Sequence, residues 1–209
     1  MDKQYNLLPL FSTPVYSVVL NEDQMVNKSD LINCKFKRLE IDNGSISDSL
    51  FILDQPEFAK LKNNILDEIE FYTREVLKVS KEIEFYITNS WVMKHSKGDW
   101  SHPHAHLNSI LSAVLYLDVN ENSGTINFIK TKNTNNLLPA CFAIPFTGWN
   151  LFNSDMWKIL PEKNQLIIFP SSLEHSVNKS ESNEDRYVLA FNVFIRGKFD
   201  SYLSELVIK

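Results

Sequence analysis

The sequence predicts a mainly β protein in which short antiparallel strands form a sandwich or barrel and one long helix covers a sheet. Three features lead there. Five segments, 82–93, 110–118, 125–129, 165–169 and 187–195, are rich in β-branched and aromatic residues and bounded by Asn, Asp, Gly, Ser or Pro. The connections between them carry no helical periodicity, which argues against a doubly wound α/β fold. A single stretch, 56–80, has the three-and-four spacing of an amphipathic helix.

In chain order, 8–20 opens the fold. Pro9 and Pro14 punctuate it, and both alternating faces hold apolar residues, as in a strand at least half buried. Residues 21–49 are polar, with a turn signal at Asn43-Gly44 and only weak strand hints over 35–41. In the helical stretch, Phe58, Leu61, Ile65, Ile69, Tyr72, Val76 and Leu77 fall on one face. Asp54 stands where an N-cap would, and Pro56 suits a first turn. The five strands follow, and 130–160 is the least regular stretch, readable as a functional loop or an inert insertion.

The length suits one domain over 1–209, with a core at about 82–196 and the strand and helix of 8–80 packed on it. At 44% apolar, the chain is too hydrophobic for wholesale disorder. The net charge is −5 with no basic stripe, which excludes nucleic-acid binding by bulk electrostatics. No apolar run is long enough to span a bilayer. Two cysteines, Cys34 and Cys141, are no disulfide scaffold and suit a reducing compartment. Met1-Asp2-Lys3-Gln4 has no secretory character, so the expected location is the cytoplasm. The oligomeric state is open, and a homodimer is compatible with all of this.

The chemistry concentrates in the histidines. Three of the five lie within His102-Pro103-His104-Ala105-His106, before one predicted strand; His175 follows another, and His95 stands apart. Neutral imidazole is the commonest ligand for transition metals. Two histidines at i and i+2 on extended chain face one side and can reach one ion, and a distal third would leave coordination positions open. Spacing alone admits His102 as well as His104 and His106. Eleven positions after His175, Arg186 opens a strand whose alternation puts Arg186, Val188, Ala190 and Asn192 on one face. The opposite face, Tyr187, Leu189, Phe191 and Val193, is apolar. An arginine facing a barrel interior is costly unless it meets an anion, and its fork matches a carboxylate. A salt bridge to Glu184 or Asp185 would equally explain it.

This layout resembles the iron(II)- and 2-oxoglutarate-dependent oxygenases. More narrowly, it is similar to a small branch that combines His-x-His, a following strand, a Phe-Pro-Ser…His segment and an Arg…Phe-Asn strand. Here these read His104-Ala105-His106, then Leu111 to Leu117, then Phe169-Pro170-Ser171…His175, then Arg186…Phe191-Asn192. The opening Leu10 to Tyr16 and Ser90-Trp91 match as well, so the resemblance covers nearly the whole chain. It implies a double-stranded β-helix, a cupin-like jelly roll, with one long helix and short flanking helices packed on one sheet. It further implies Fe(II) on His104, His106 and His175, and 2-oxoglutarate as co-substrate with its far carboxylate on Arg186. Tyr116 and Asn192 would assist the co-substrate, and Trp91 and Asn108 would border a substrate cleft. The reaction implied is hydroxylation of a small-molecule or peptide substrate with succinate and CO2 as co-products, in a protein of bacterial or phage origin (host cytoplasm in the latter case). Two departures stand out. Ala113 replaces a glycine inside a strand, and His106 stands where the wider superfamily has a carboxylate; three-histidine iron sites nonetheless exist in other oxygenases. The rival expectation is an inactive cupin-like metal-binding or interaction protein. A hydrolytic zinc site ranks last, since Glu174 is the only carboxylate near a histidine. Trp100, Trp149 and Trp157 fit a core as well as a cleft.

Overall fold

The computed structural model describes residues 4, 6–10, 12–40, 43–130, 145–201 and 204–209. Phe11, Cys141 and most of the irregular stretch, 131–144, lie outside the described residues. Among the described residues, twelve strands and two α-helices follow in the order β1 (Tyr16–Val19), α1 (Lys28–Ile32), β2 (Phe36–Arg38), β3 (Ser45–Ser47), α2 (Ala59–Phe71), β4 (Ile83–His95), β5 (Ser101–His104), β6 (Leu111–Asp118), β7 (Ile126–Ile129), β8 (Met156–Ile159), β9 (Gln165–Pro170), β10 (His175–Val177), β11 (Arg186–Ser201) and β12 (Ser204–Ile208).

They build two sheets whose ladders are all antiparallel. The large one runs β1-β9-β6-β11-β4-β3-β2, with β12 paired to β11; the small one runs β5-β10-β7-β8. The alternation of the central strands explains the layering. Leu115 and Leu117, Leu166 and Ile168, and Leu189, Phe191 and Val193 point to one side, where they pack with Leu61, Ile65 and Ile69 of α2. Tyr116, Ile167, Phe169 and Val188 point to the other and pack with Ile126 and Phe128 of the small sheet. With a period of two, one strand feeds both interfaces, so near-continuous apolar runs are required. Helix, large sheet and small sheet therefore stack as three layers, and the jelly-roll expectation holds.

Several elements differ from expectation for identifiable reasons. The helix is not continuous over 56–80. Single 3-10 turns at Ile52–Asp54 and Pro56–Phe58 precede α2, and a π turn at Tyr72–Val76 follows it. Asp54 does not cap α2; its carboxylate pairs with Lys62 at 2.7 Å. At the far end Thr73 Oγ1 donates to the Ile69 carbonyl at 2.8 Å, and Lys78 turns the chain through a left-handed φ of 56°. Within the polar stretch 21–49, Asn27 caps the short α1 by accepting from the Ser29 N–H. Strands β2 and β3 pair antiparallel; of the expected turn, Asn43 makes an isolated bridge to Trp100 and the Gly44 carbonyl accepts from the Leu39 N–H at 2.9 Å. Strand β8 forms inside the stretch expected to be irregular, held by pairing to β7.

Candidate metal centre

Strand β5 has no apolar face of its own. It is a strand because β10 pairs with it, and that register sets His104 directly opposite His175. His106 follows on a loop fixed by its own N–H donating to the Ser171 carbonyl at 3.0 Å, while the Ser171 N–H donates to the Ile110 carbonyl at 3.0 Å. The three rings converge. Centroids of His104 and His175 are 4.4 Å apart, those of His104 and His106 5.3 Å, and those of His106 and His175 5.2 Å with the rings nearly parallel. One nitrogen from each lies within 4.8 Å of the others. His102 is not in this set. Its backbone carbonyl lies 2.8 Å from His104 Nδ1.

Those backbone contacts determine the tautomers. A carbonyl only accepts, so His104 Nδ1 must carry the proton; His175 Nδ1, 3.0 Å from the Leu173 carbonyl, must do the same. Both rings therefore present the lone pair of Nε2 to the centre, the arrangement a metal ligand needs. Burial, then the neighbouring His104, holds His175 down to about 3 and His106 to about 4, so both are neutral at ordinary pH. Three convergent imidazoles, His175 buried and His104 and His106 half-buried, fit a divalent transition metal.

Arg186 opens β11 on the face toward the small sheet and is only 2% exposed. The salt-bridge explanation fails. Asp185 pairs with Lys94 at 2.7 Å, and Glu184 accepts from Asn120. Arg186 instead donates from Nη2 to His95 Nδ1 at 3.1 Å and, weakly, from Nη1 to the carbonyls of Ser123 and Gly124 at 3.4 Å. Its Nε is buried without a partner, and no described carboxylate pairs with it. Burial lowers the guanidinium pKa. Its carbon lies 5.9 Å from the centroid of Tyr116, whose hydroxyl is pushed up to about 12 by burial. Asn192 sits on the same face, its Oδ1 accepting from Ser112 at 2.9 Å; Ser112 contacts Ser171, and Ser171 contacts Ser109. Gly124 is required where it stands. Its φ is +86°, and a Cβ there would lie 2.3 Å from the Asn178 carbonyl oxygen.

Residues 89–192, which hold all three convergent histidines and Arg186, match the model of a family described as "Putative 2OG-Fe(II) oxygenase". The chain belongs to that family. Solved structures share its fold. HygX from Streptomyces hygroscopicus, crystallised with nickel, 2-oxoglutarate and hygromycin B, has a TM-score of 0.59 at 12% identity, covering 87% of this chain and 82% of its own. A Pseudomonas putida prolyl-4-hydroxylase gives 0.54 at 14%, covering 88% and 95%. SnoN, an α-ketoglutarate-dependent epimerase of nogalamycin biosynthesis, gives 0.60 at 11%, covering 87% and 76%. At such identities these likenesses speak for the fold alone. No curated protein matches.

The two expected cleft residues fall beside His106. The Trp91 ring centroid is 6.1 Å from that of His106, and Asn108, exposed and left-handed at φ 56°, lies on the loop just after it. The sequence left Trp157 open between core and cleft. The register His104–His175–Phe128–Trp157 makes one rung across the small sheet, and directly opposed residues share a face. Trp157 is therefore on the histidine side, half exposed at the edge strand. Trp149 is exposed and contacts Phe146 instead.

The histidines held well below their ordinary pKa make the metal-free protein acid-sensitive. His95 is held to about 3, chiefly by burial, alongside His106 and His175. The unfolded chain takes up these protons near pH 6.5 and the folded one only near 3–4, so stability falls as pH drops between those limits and levels off below them. The slope is up to about 1.4 kcal/mol per pH unit for each group. Denaturant melts of metal-free protein from pH 7 to 4 measure it, and His95→Gln should remove about a third of the loss.

Proposed function

We propose that this chain is an Fe(II)- and 2-oxoglutarate-dependent dioxygenase that hydroxylates a small-molecule or peptide substrate in the cytoplasm. One observation carries the reading. Arg186 is a buried cation with free N–H capacity and no described carboxylate partner, on the sheet face that looks toward three convergent imidazoles. A charge so placed needs an anion, and an incoming ligand is the natural source. 2-Oxoglutarate has a 2-oxo acid end for a metal and a second carboxylate for the guanidinium fork.

The chain's own groups then have definite parts. His104, His106 and His175 hold the cation, and as neutral ligands they leave both of its charges to attract a dianionic chelator. Tyr116, which keeps its proton, donates to the far carboxylate, and Asn192, fixed by Ser112, orients the co-substrate or the substrate. Trp91 and Asn108 border the space left for substrate. When bound, Fe(II) with 2-oxoglutarate supplies the oxidising chemistry, O2 and the co-substrate giving succinate and CO2 while one oxygen atom enters a substrate C–H bond. HygX, which shares the fold, was crystallised with hygromycin B, so a small molecule is one candidate class for the substrate panel.

The test is succinate release from 2-oxoglutarate by purified protein under air. It is run with and without Fe(II), against a panel of proline-containing peptides, free amino acids and glycosides. The expected result is release that requires Fe(II) and that one substrate class stimulates. Protein that binds metal but gives neither a 2-oxoglutarate complex nor succinate would be the inactive cupin-like alternative.

A further inference from the structure

The proposed function leaves one buried histidine unused. His95 ends β4 directly opposite Arg186 on β11, and both side chains are only 2% exposed. A guanidinium only donates, so His95 Nδ1, 3.1 Å from Nη2, must be the acceptor. The ring proton then resides on Nε2, which is 3.2 Å from Ser101 Oγ. This is the opposite tautomer from His104 and His175. Ser101 begins the strand that carries His104, so the chain Arg186–His95–Ser101 ties the large sheet to the metal-bearing strand of the small one.

The chemistry of the partner matters more than its presence. Arginines are usually oriented by a carboxylate, and Asp99 stands close enough to influence His95 but is engaged twice by Arg38, at 2.6 and 2.7 Å. A carboxylate in the place of His95 would orient Arg186 equally well but would neutralise it. A neutral imidazole fixes the fork and leaves the full positive charge, with an unpartnered Nε–H, for an incoming anion.

From this we infer that His95 is the positioning residue of the anion site: an uncharged acceptor that orients Arg186 while keeping its charge available to the far carboxylate of the co-substrate. The inference rests on the functional reading above and deepens it.

The decisive comparison is His95→Gln against His95→Glu, two side chains of one shape that differ in charge. Binding of 2-oxoglutarate to the Fe(II)-loaded protein is measured anaerobically by titration calorimetry. 2-Oxopentanoate, which keeps the 2-oxo acid end and lacks the far carboxylate, is the control ligand. His95→Gln should bind 2-oxoglutarate within about 3-fold of the unaltered protein; His95→Leu should lose ~10-fold, as expected for a hydrogen bond to a charged group, and His95→Glu more than ~100-fold. Affinity for 2-oxopentanoate should stay level across all three. A second route avoids changing His95. A Cβ at Gly44 would lie 3.1 Å from His95 Nε2, so Gly44→Ala should displace the ring and weaken 2-oxoglutarate selectively.

His95→Glu binding 2-oxoglutarate as well as His95→Gln does would overturn the inference, as would parallel loss of both ligands. Failure of the unaltered protein to bind 2-oxoglutarate would overturn the functional reading and this inference with it, so the two failures are told apart by the first titration.

Discussion

Replacing Arg186 by methionine should abolish measurable 2-oxoglutarate binding while leaving the thermal stability of the ligand-free protein almost unchanged. The two halves follow from one fact. Arg186 is buried with no described carboxylate beside it. Truncating one partner of a buried charge pair costs about 2–5 kcal/mol, a loss of roughly 30- to 5000-fold in affinity. That cost falls wholly on ligand binding, because the anion arrives with the ligand. Breaking an internal ion pair would instead cost the fold about 3–5 kcal/mol by stranding a buried carboxylate. Here methionine strands only the His95 acceptor and two weakly bonded carbonyls, and it relieves a desolvated cation. The net change should be under about 1 kcal/mol, or under about 4 °C in Tm for a chain this size. Melts with and without 2-oxoglutarate decide the matter. The unaltered protein should gain stability from the ligand by mass action, and the variant should not. A large drop in Tm of the ligand-free variant would make Arg186 a structural residue and remove the main support for the anion site.

Arg186 was readable from the sequence because period-two alternation puts it on a face with Val188, Ala190 and Asn192, opposite an unbroken apolar face. The large-sheet strands were readable for the same reason, since they face hydrophobic layers on both sides. What the sequence hid were elements whose stability comes from a partner. Strand β5 reads Ser-His-Pro-His and β10 spans three residues, and neither has a pattern; each exists through cross-strand pairing, and that pairing sets His104 against His175. Trp157 was obscured in the same way, its strand lying in a stretch with no period and taking its face from β7. The role of His95 was hidden differently. The expected strand stopped at Met93, two residues short, so the cross-strand position opposite Arg186 was never generated. The spacing of the histidines gave candidates without choosing among them, and the choice depended on register.

That choice is testable, because His102 and His104 are alike in sequence and unlike in place. His104→Ala, His106→Ala and His175→Ala should each lower metal affinity by more than the 10- to 100-fold typical of losing an outer-sphere partner, and succinate release should vanish with it. His102→Ala should leave both within about 3-fold, because what orients His104 is the His102 backbone carbonyl, which alanine retains. The register makes the same point. His104 faces His175 across the β5–β10 pair with ring centroids 4.4 Å apart, whereas the His102 ring lies 5.5 Å from that of His104 and outside the convergent set. Anaerobic Fe(II) titration against a competing chelator reads the affinities. His102→Ala as damaging as His104→Ala would move the metal one alternation along β5, away from His175, and a mononuclear three-histidine centre could not then be built from these strands.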